Sequence, residues 1–168
     1  MAEQPEIGIV RGGAELLDEL RPLWLALRDH HGHVAPARGP VRDDDSSWRR
    51  RRAEYETWVT EGAFVLLARD ERDGRALAYA FVRPADLHAS TWHDTRVLDV
   101  ETLSVAPQAR GRGLGAALLA RVREIHDAEG YGGVQLTAIA ENAGALRFYE
   151  REGFRPIYVT LEDTTRTP

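Results

Sequence analysis

The stretch from residue 96 to residue 129 constrains the fold more than any other part of the chain. It opens with RVLDVETLSV, an alternating run rich in β-branched residues that predicts a strand over 96–105. The loop APQARGRGLG follows, and apolar residues at helical spacing then predict a helix that begins near Leu114. A strand, a glycine-rich loop and a helix in this order predict an α/β domain with a mixed sheet.

The glycines of this loop predict a binding site for phosphate groups. Gly111, Gly113 and Gly115 stand beside Arg110 and Arg112 at the predicted helix start. A helix start presents unpaired N–H groups and the positive end of the helix dipole, and glycines let phosphate oxygens approach those donors. The alternative is a tight turn that needs a positive φ at one glycine. Three glycines in five residues are more than such a turn requires.

Two well-known phosphate motifs fit the loop poorly. A P-loop ends in Gly-Lys-Ser/Thr, whereas residues 114–116 are LGA and the chain contains no Lys. The dinucleotide pattern G-x-G-x-x-A is met from Gly111 onward, with Glu141 after the next predicted strand as a ribose-binding acid. However, the five residues APQAR separate the strand from the first glycine, and too little chain follows Glu141 for the remaining strands of that fold.

A third pattern, Q/R-x-x-G-x-G/A, is met by Arg110, Gly113 and Gly115. Here the chain resembles the GNAT superfamily of N-acetyltransferases, because VETLSVAPQARGRGLGAALL is similar to that family's strand 4, pyrophosphate loop and helix 3. The family's second signature, N-x-x-A-x-x-F-Y-x-x-x-G-F, is matched by NAGALRFYEREGF over residues 142–154. The resemblance is strong over residues 96–160 and weak before them.

The resemblance implies an α/β fold of the GNAT type, with a mixed central sheet of about six to seven strands that splay apart between strands 4 and 5. About four helices would flank this sheet in a single domain over residues 1–168. Residues 1–60 would form the variable acceptor side, and residues 96–160 the acetyl-CoA-binding core. The residue patterns predict strands at 6–10, 63–68, 76–82, 96–105, 134–140 and 154–161, and helices at 14–30 (interrupted at Pro22), 48–59 (capped by Ser46 or Ser47), 114–129 and 143–151.

Acetyl-CoA is the co-substrate that the resemblance implies. Its pyrophosphate would lie on the glycine loop, and main-chain groups of Leu103 and Val105 would bind the pantetheine arm as an added strand would. Asn142 would also contact this arm, or serve as a plain N-cap of the following helix, or both. The cofactor-binding residues implied are Leu103, Val105, Arg110, Gly111, Arg112, Gly113, Leu114, Gly115, Asn142 and Phe148.

Acetyl transfer to an amine requires two proton movements. An amine with a pKa of roughly 10 must lose a proton before it attacks, and the leaving thiolate must gain one. By resemblance, Tyr149 is the general acid and Glu101 the base that works through water. The alternatives are an aromatic ring that only packs on its helix face and a glutamate held in a structural salt bridge. Strand alternation predicts that Asp99, Glu101 and Leu103 share one face of their strand.

The family places its first two helices over the acceptor site. The residues predicted to line that site are His30, His31, His33, Trp48 and Tyr55. The alternative is an ordinary polar loop and a core aromatic pair. The pattern H-H-x-H without an acidic partner at fixed spacing is weak evidence for a metal, so no metal is expected. His88 and His93 are further candidates for acid–base chemistry or substrate contact.

These features predict an N-acetyltransferase that transfers acetyl directly from acetyl-CoA to a primary amine, since a chain without Cys cannot form an acyl-cysteine intermediate. The acceptor would be a small molecule or a peptide. The alternative is a catalytically silent module of the same fold that binds acyl-CoA. A net charge of −5, and arginines 49–52 circling a helix beside Glu54 and Glu56, argue against nucleic acid. Without a membrane span or a signal peptide, a cytoplasmic location is expected, and the resemblance allows a homodimer.

Overall fold

The computed structural model of the protein describes residues 7–87, 91 and 96–163. The order of strands and helices around one sheet is the predicted one up to α4. The elements are β1 (Ile7–Gly12), α1 (Leu17–Val34), α2 (Asp44–Thr60), β2 (Phe64–Asp70), β3 (Ala76–Asp86), β4 (Arg96–Val105), α3 (Leu114–Glu129), β5 (Val134–Leu136) and α4 (Ala143–Arg151). The predicted bounds of β4 and α4 are confirmed to the residue.

The sheet is mixed, with the strand order β1-β2-β3-β4-β5. The first four strands are antiparallel neighbours, and β5 pairs with β4 in parallel. Over the described residues the sheet therefore has five strands, and the expected six to seven is wrong. The missing strand is the one predicted at 154–161, where the structure forms no ladder and leaves Ile157, Val159 and Leu161 exposed. A β-prone sequence becomes a strand only where a neighbouring edge pairs with it.

Helices α1 and α2 pack against each other, and α1 packs on β3 and β4. Pro22 stands in the first turns of α1 without ending the helix, so the predicted interruption is not observed. Helix α2 begins earlier than predicted, and its N-cap is Asp43, whose carboxylate accepts a hydrogen bond from the Ser46 amide at 2.9 Å. The hydroxyl of Ser104 in β4 donates to the carbonyl oxygen of Leu23 in α1 at 2.8 Å, which ties this helix to the strand.

Helix α3 packs against the sheet through its buried face. Leu118, Leu119, Val122 and Ile125 of this helix join side chains of α1, α2 and the strands in one hydrophobic core. Such burial of aliphatic side chains supplies most of the stability of a domain of this size. No helix within the described ranges is both long and apolar enough to cross a membrane.

Candidate active site

A β-bulge in β4 marks the centre of the candidate site. Val82 of β3 lies opposite Val100 of β4, and Phe81 lies opposite Thr102, so Glu101 has no partner residue on β3. A bulge of this kind inserts one residue into the strand and redirects its side chain. Simple alternation predicted Glu101 and Thr102 on opposite faces, and that prediction is wrong here because the bulge interrupts the alternation.

The contacts of the two residues show this directly. Glu101 Oε1 accepts a hydrogen bond from Nη1 of Arg51 in α2 at 3.0 Å. The Thr102 hydroxyl oxygen lies 2.7 Å from the hydroxyl oxygen of Tyr55, which also belongs to α2. Consecutive residues of β4 therefore contact the same helix.

On the side of β4 that faces β5, strand pairing ends at the same position. The parallel pairs end with Val100 opposite Leu136, whereas β4 continues to Val105. Within the described residues, no strand pairs with this side of β4 from Glu101 onward. Leu103 and Val105 lie in this stretch and are half-buried. Their main-chain groups are placed to pair with an extended ligand arm, as an added strand would.

The glycine loop ends in a helix start that suits an anion. Gly111 and Gly113 have φ values of 75° and 78°, a left-handed conformation that side chains disfavour. Gly113 caps α3 without any side-chain hydrogen bond, and the first intrahelical bond runs from the Ala117 amide to Gly113. The amide groups of residues 114–116 are therefore free of helix partners, and a pyrophosphate fits this cradle.

The side chains next to these amides differ in their exposure and in their contacts. Arg110 and Arg112 are exposed, so both guanidinium groups are accessible to phosphate oxygens. The Leu114 side chain is buried in the core, which leaves only its main chain for a ligand. Gly115 has another reason to be glycine, because a Cβ there would lie 3.1 Å from Cζ of Phe148. The ring of Phe148 thus joins α4 to the first turn of α3.

Helix α4 carries the remaining residues of the second signature. The Asn142 side chain accepts a hydrogen bond from the Ala145 amide at 3.1 Å, so its N-cap role is confirmed. This bond occupies the side-chain oxygen and leaves the side-chain NH₂ group for a ligand. Tyr149 packs between Phe148 and Phe154, and burial raises the pKa of its phenol to about 12. The phenol is therefore fully protonated at neutral pH, as a proton donor must be.

Arg51 is a site residue that the sequence patterns missed. Its guanidinium carbon lies 4.4 Å from the ring centroid of Trp24 and 5.8 Å from that of Trp58. The same guanidinium forms the ion pair with Glu101. Its position three residues after Trp48 and four before Tyr55 could have placed it on the apolar face of α2. The run of four arginines obscured that spacing.

Two predicted acceptor residues lie in the core instead of on a cavity wall. Tyr55 is completely buried, stacks on Phe81 with the ring centroids 3.8 Å apart, and shares a hydrogen bond with Tyr79. Trp48 is also buried, at the start of the same helix face. Tyr55 contacts Thr102 through its hydroxyl and Arg51 through its ring, and the burial of both aromatic residues agrees with the alternative of a core aromatic pair.

The three histidines lie in the last turns of α1. The ring nitrogen Nδ1 of the exposed His33 is 2.6 Å from the carbonyl oxygen of Asp29. Burial lowers the pKa of His31, and the nearby His30 and Arg51 lower it further, so its imidazole is neutral at pH 7. Over the described residues, no group of three or more His, Asp or Glu side chains could hold a metal ion. The candidates at positions 88 and 93 lie outside the described residues.

A row of polar residues crosses three strands just before the bulge. Arg83 of β3 and Gln135 of β5 are the register partners of Asp99 on β4. The amide of Gln135 donates to Asp99 Oδ1 at 3.4 Å, and Arg83 Nε lies 3.5 Å from Asp99 Oδ2. Burial raises the pKa of Asp99, and the charge of Glu101 raises it further. Two carboxylates therefore stand side by side at the open end of the strand pair.

Comparisons with known proteins agree with this geometry. Residues 23–154 match the acetyltransferase (GNAT) family. The chain is 35% identical over 136 residues to a mycothiol acetyltransferase of Beutenbergia cavernae, an alignment that covers 81% of this chain and 41% of that protein. It is 32% identical over 139 residues to a mycothiol acetyltransferase of Clavibacter michiganensis, covering 83% and 40%. The chain thus spans about two fifths of the length of these curated relatives.

Solved structures share the fold at lower sequence identity. A mutant of the BH1408 protein from Bacillus halodurans superposes with a TM-score of 0.79 at 20% identity, covering 92% of this chain and 97% of that one. The aminoglycoside N-acetyltransferase AAC(6')-Iy in complex with CoA gives a TM-score of 0.70 at 18% identity over 99% of both chains. At these identities the likeness concerns the fold.

Proposed function

The chain belongs to the acetyltransferase (GNAT) family, and we propose that it transfers an acetyl group directly from acetyl-CoA to a primary amine. A CoA complex among its structural neighbours supports acetyl-CoA as the co-substrate. The position of Glu101 is the main structural support for this proposal. The β4 bulge directs the Glu101 carboxylate toward α2 at the point where β4 loses its β5 partner, between the glycine loop and the acceptor-side helices.

The residues that would hold acetyl-CoA are those of the loop and of the open β4 edge. The free amide groups of residues 114–116 and the guanidinium groups of Arg110 and Arg112 would bind the pyrophosphate. Main-chain groups of Leu103 and Val105, with the free amide NH₂ group of Asn142, would bind the pantetheine arm. When bound, acetyl-CoA supplies an activated thioester carbonyl.

Glu101 and Tyr149 would handle the protons. Glu101 accepts a proton from the acceptor ammonium through water, which frees the nitrogen lone pair for attack. Tyr149 remains protonated because its pKa is raised to about 12, and its hydroxyl donates to the departing sulfur. Over the whole reaction one C–N bond forms and one C–S bond breaks. The ammonium gives up two protons, of which one ends on the thiol and one in solvent.

A binding measurement and an activity assay test the two halves of this proposal. Calorimetry should detect binding of acetyl-CoA but not of NADH, and absence of acetyl-CoA binding would overturn the cofactor assignment. Release of free thiol over a panel of primary amines distinguishes an enzyme from a silent binding module. Binding without thiol release for any amine in the panel would favour the silent module.

A further inference from the structure

A cavity of about 270 Å³ lies at the end of β3, and one of its lining residues, Arg83, pairs with the carboxylates of Asp99 and Glu101. Its walls include the indole of Trp58, the apolar side chains of Pro84 and Leu87, and three charged residues, which are Arg83, Glu61 and Asp86. Glu101 is not itself part of the lining, but Arg83 connects the two, because Arg83 Nε lies 3.9 Å from Glu101 Oε2. A ligand bound to Arg83 in this cavity is therefore close to the candidate base.

The guanidinium of Arg83 is only partly used by the protein. Its Nε faces the carboxylates of Asp99 and Glu101, and its guanidinium carbon lies 4.6 Å from the ring centroid of Trp58. This buried Nε is within ion-pair distance of both carboxylates without a well-aligned hydrogen bond, and over the described residues neither Nη donates one. The Nη donors remain for a ligand. Two parallel N–H groups of a guanidinium match a carboxylate.

Arg83 and Glu101 present a guanidinium and a carboxylate side by side, and a ligand with neighbouring negative and positive charges complements this pair. In an α-amino acid, the ammonium and the carboxylate are attached to the same carbon atom. With the carboxylate on the Arg83 Nη donors, the ammonium lies beside Glu101, where the proposed base would remove its proton. The side chain of the amino acid then extends into the cavity.

The cavity walls favour a positively charged side chain. Glu61 and Asp86 set two carboxylates against the one guanidinium of Arg83, so the lining has a net charge of −1. The face of Trp58 can also attract a cation, and Pro84 and Leu87 can pack on methylene groups. The volume suits a single amino acid, since larger ligands occupy cavities of roughly 300–1,000 Å³.

We propose that the acceptor is a free α-amino acid with a cationic side chain, and that its α-amine receives the acetyl group. This rests on the proposed acetyltransferase function. Arg83 determines specificity for the carboxylate, and Glu61 with Asp86 determines specificity for the side-chain charge.

Matched acceptors test each charge separately in the thiol-release assay. L-lysine carries the α-ammonium group, the carboxylate and the side-chain ammonium group. Cadaverine lacks only the carboxylate, and norleucine lacks only the side-chain ammonium group. The wild-type enzyme should use lysine at least about tenfold better, in kcat/KM, than either analogue. The product should be Nα-acetyl-lysine by mass spectrometry and NMR. Equal use of cadaverine, or acetylation of the ε-amine, would overturn the proposal.

Variants connect each preference to its residue. Arg83→Gln should remove the preference for lysine over cadaverine, mainly by raising KM for lysine, and Arg83→Lys should restore only part of it. Glu61→Gln combined with Asp86→Asn should remove the preference for lysine over norleucine. Arg50→Gln, on the exposed side of α2, is the matched control and should keep both preferences.

The outcomes separate this proposal from the one on which it rests. If lysine and its longer and shorter homologues are inactive while other amines release thiol, the amino acid proposal is wrong and the acetyltransferase proposal stands. If no amine releases thiol although acetyl-CoA binds, both fail. Circular dichroism of each variant establishes that its fold is intact, and retention of both preferences by folded Arg83→Gln would contradict the role of Arg83.

Discussion

The ring of Phe148 leaves no room for a side chain on Gly115, because a Cβ there would stand 3.1 Å from the ring's Cζ atom. The two residues belong to the glycine loop and to the second signature of the sequence. Their contact holds the second half of α4 against the start of α3. The helix that carries Tyr149 is thereby fixed relative to the proposed pyrophosphate cradle.

Gly115→Ala should weaken acetyl-CoA binding and lower the free energy of unfolding by about 1 kcal/mol, because the ring must move to admit the methyl group. Phe148→Leu added to Gly115→Ala should recover part of the loss. The control is Gly144→Ala in α4, where a Cβ meets only Asn142 Oδ1 at 3.7 Å. It should stabilise the protein by up to about 1 kcal/mol, as alanine does within helices. Additive losses in the double variant, measured by urea unfolding, would contradict the proposed contact.

Tyr149→Phe should lower kcat by about a hundredfold or more and leave the dissociation constant of acetyl-CoA almost unchanged. The reason is that the change removes the proposed proton donor but keeps the ring between Phe148 and Phe154. Tyr131→Phe, which removes a hydroxyl just after α3, is the matched control and should retain full turnover. Unchanged turnover in Tyr149→Phe would eliminate Tyr149 as the acid.

Arg51→Gln should lower both stability and turnover. The change leaves Glu101 without its hydrogen-bonded guanidinium, which should cost about 1–3 kcal/mol of unfolding free energy. A freely moving Glu101 should also reduce kcat. Arg50→Gln should change the unfolding free energy by less than about 0.5 kcal/mol, because Arg50 is exposed. Equal effects of the two variants in urea unfolding and in the thiol assay would exclude a special role for Arg51.

The buried tyrosines should make the protein sensitive to alkali. Burial raises the pKa of Tyr55 and of Tyr149 to about 12 in the folded chain, against 10 for an exposed phenol. Above pH 10 the unfolded chain loses these protons first, so their contribution to stability is complete below pH 10 and disappears as pH rises to about 12. Urea unfolding at several pH values should show this decline, with a smaller slope in Tyr55→Phe. Tyrosinate absorbance developing fully near pH 10 in the folded protein would contradict it.

Local sequence signals account for the elements that the patterns predicted well. Asn142 and Gly153 bracket α4 with an N-cap and a positive-φ residue, and β-branched residues recur along the whole of β4. These signals act over a few residues, so the chain itself displays them.

Features that depend on residues far apart in the chain could not be predicted from local sequence patterns. The bulge at Glu101 exists only in relation to the register of β3, and the absence of a ladder after Gly153 depends on which sheet edge is available. Arg83 meets Asp99 because their strands pair, although 16 positions separate them in the chain. Only Arg51 had a detectable local signal, its spacing from Trp48 and Tyr55.

The extra residue at Glu101 divides β4 into two segments that can vary independently. Before it, Asp99 faces the side where the acceptor is proposed to bind, and after it Thr102 and Ser104 anchor the strand to α2 and α1. A substitution at position 99 can therefore change what the protein acts on without disturbing the bonds that hold its layers together, whereas Glu101 itself is bonded to α2. Removing Glu101 would leave Val82 opposite Val100 and Phe81 opposite Thr102, so both segments would keep their register and their faces, and only the extra side chain at the bulge would be lost.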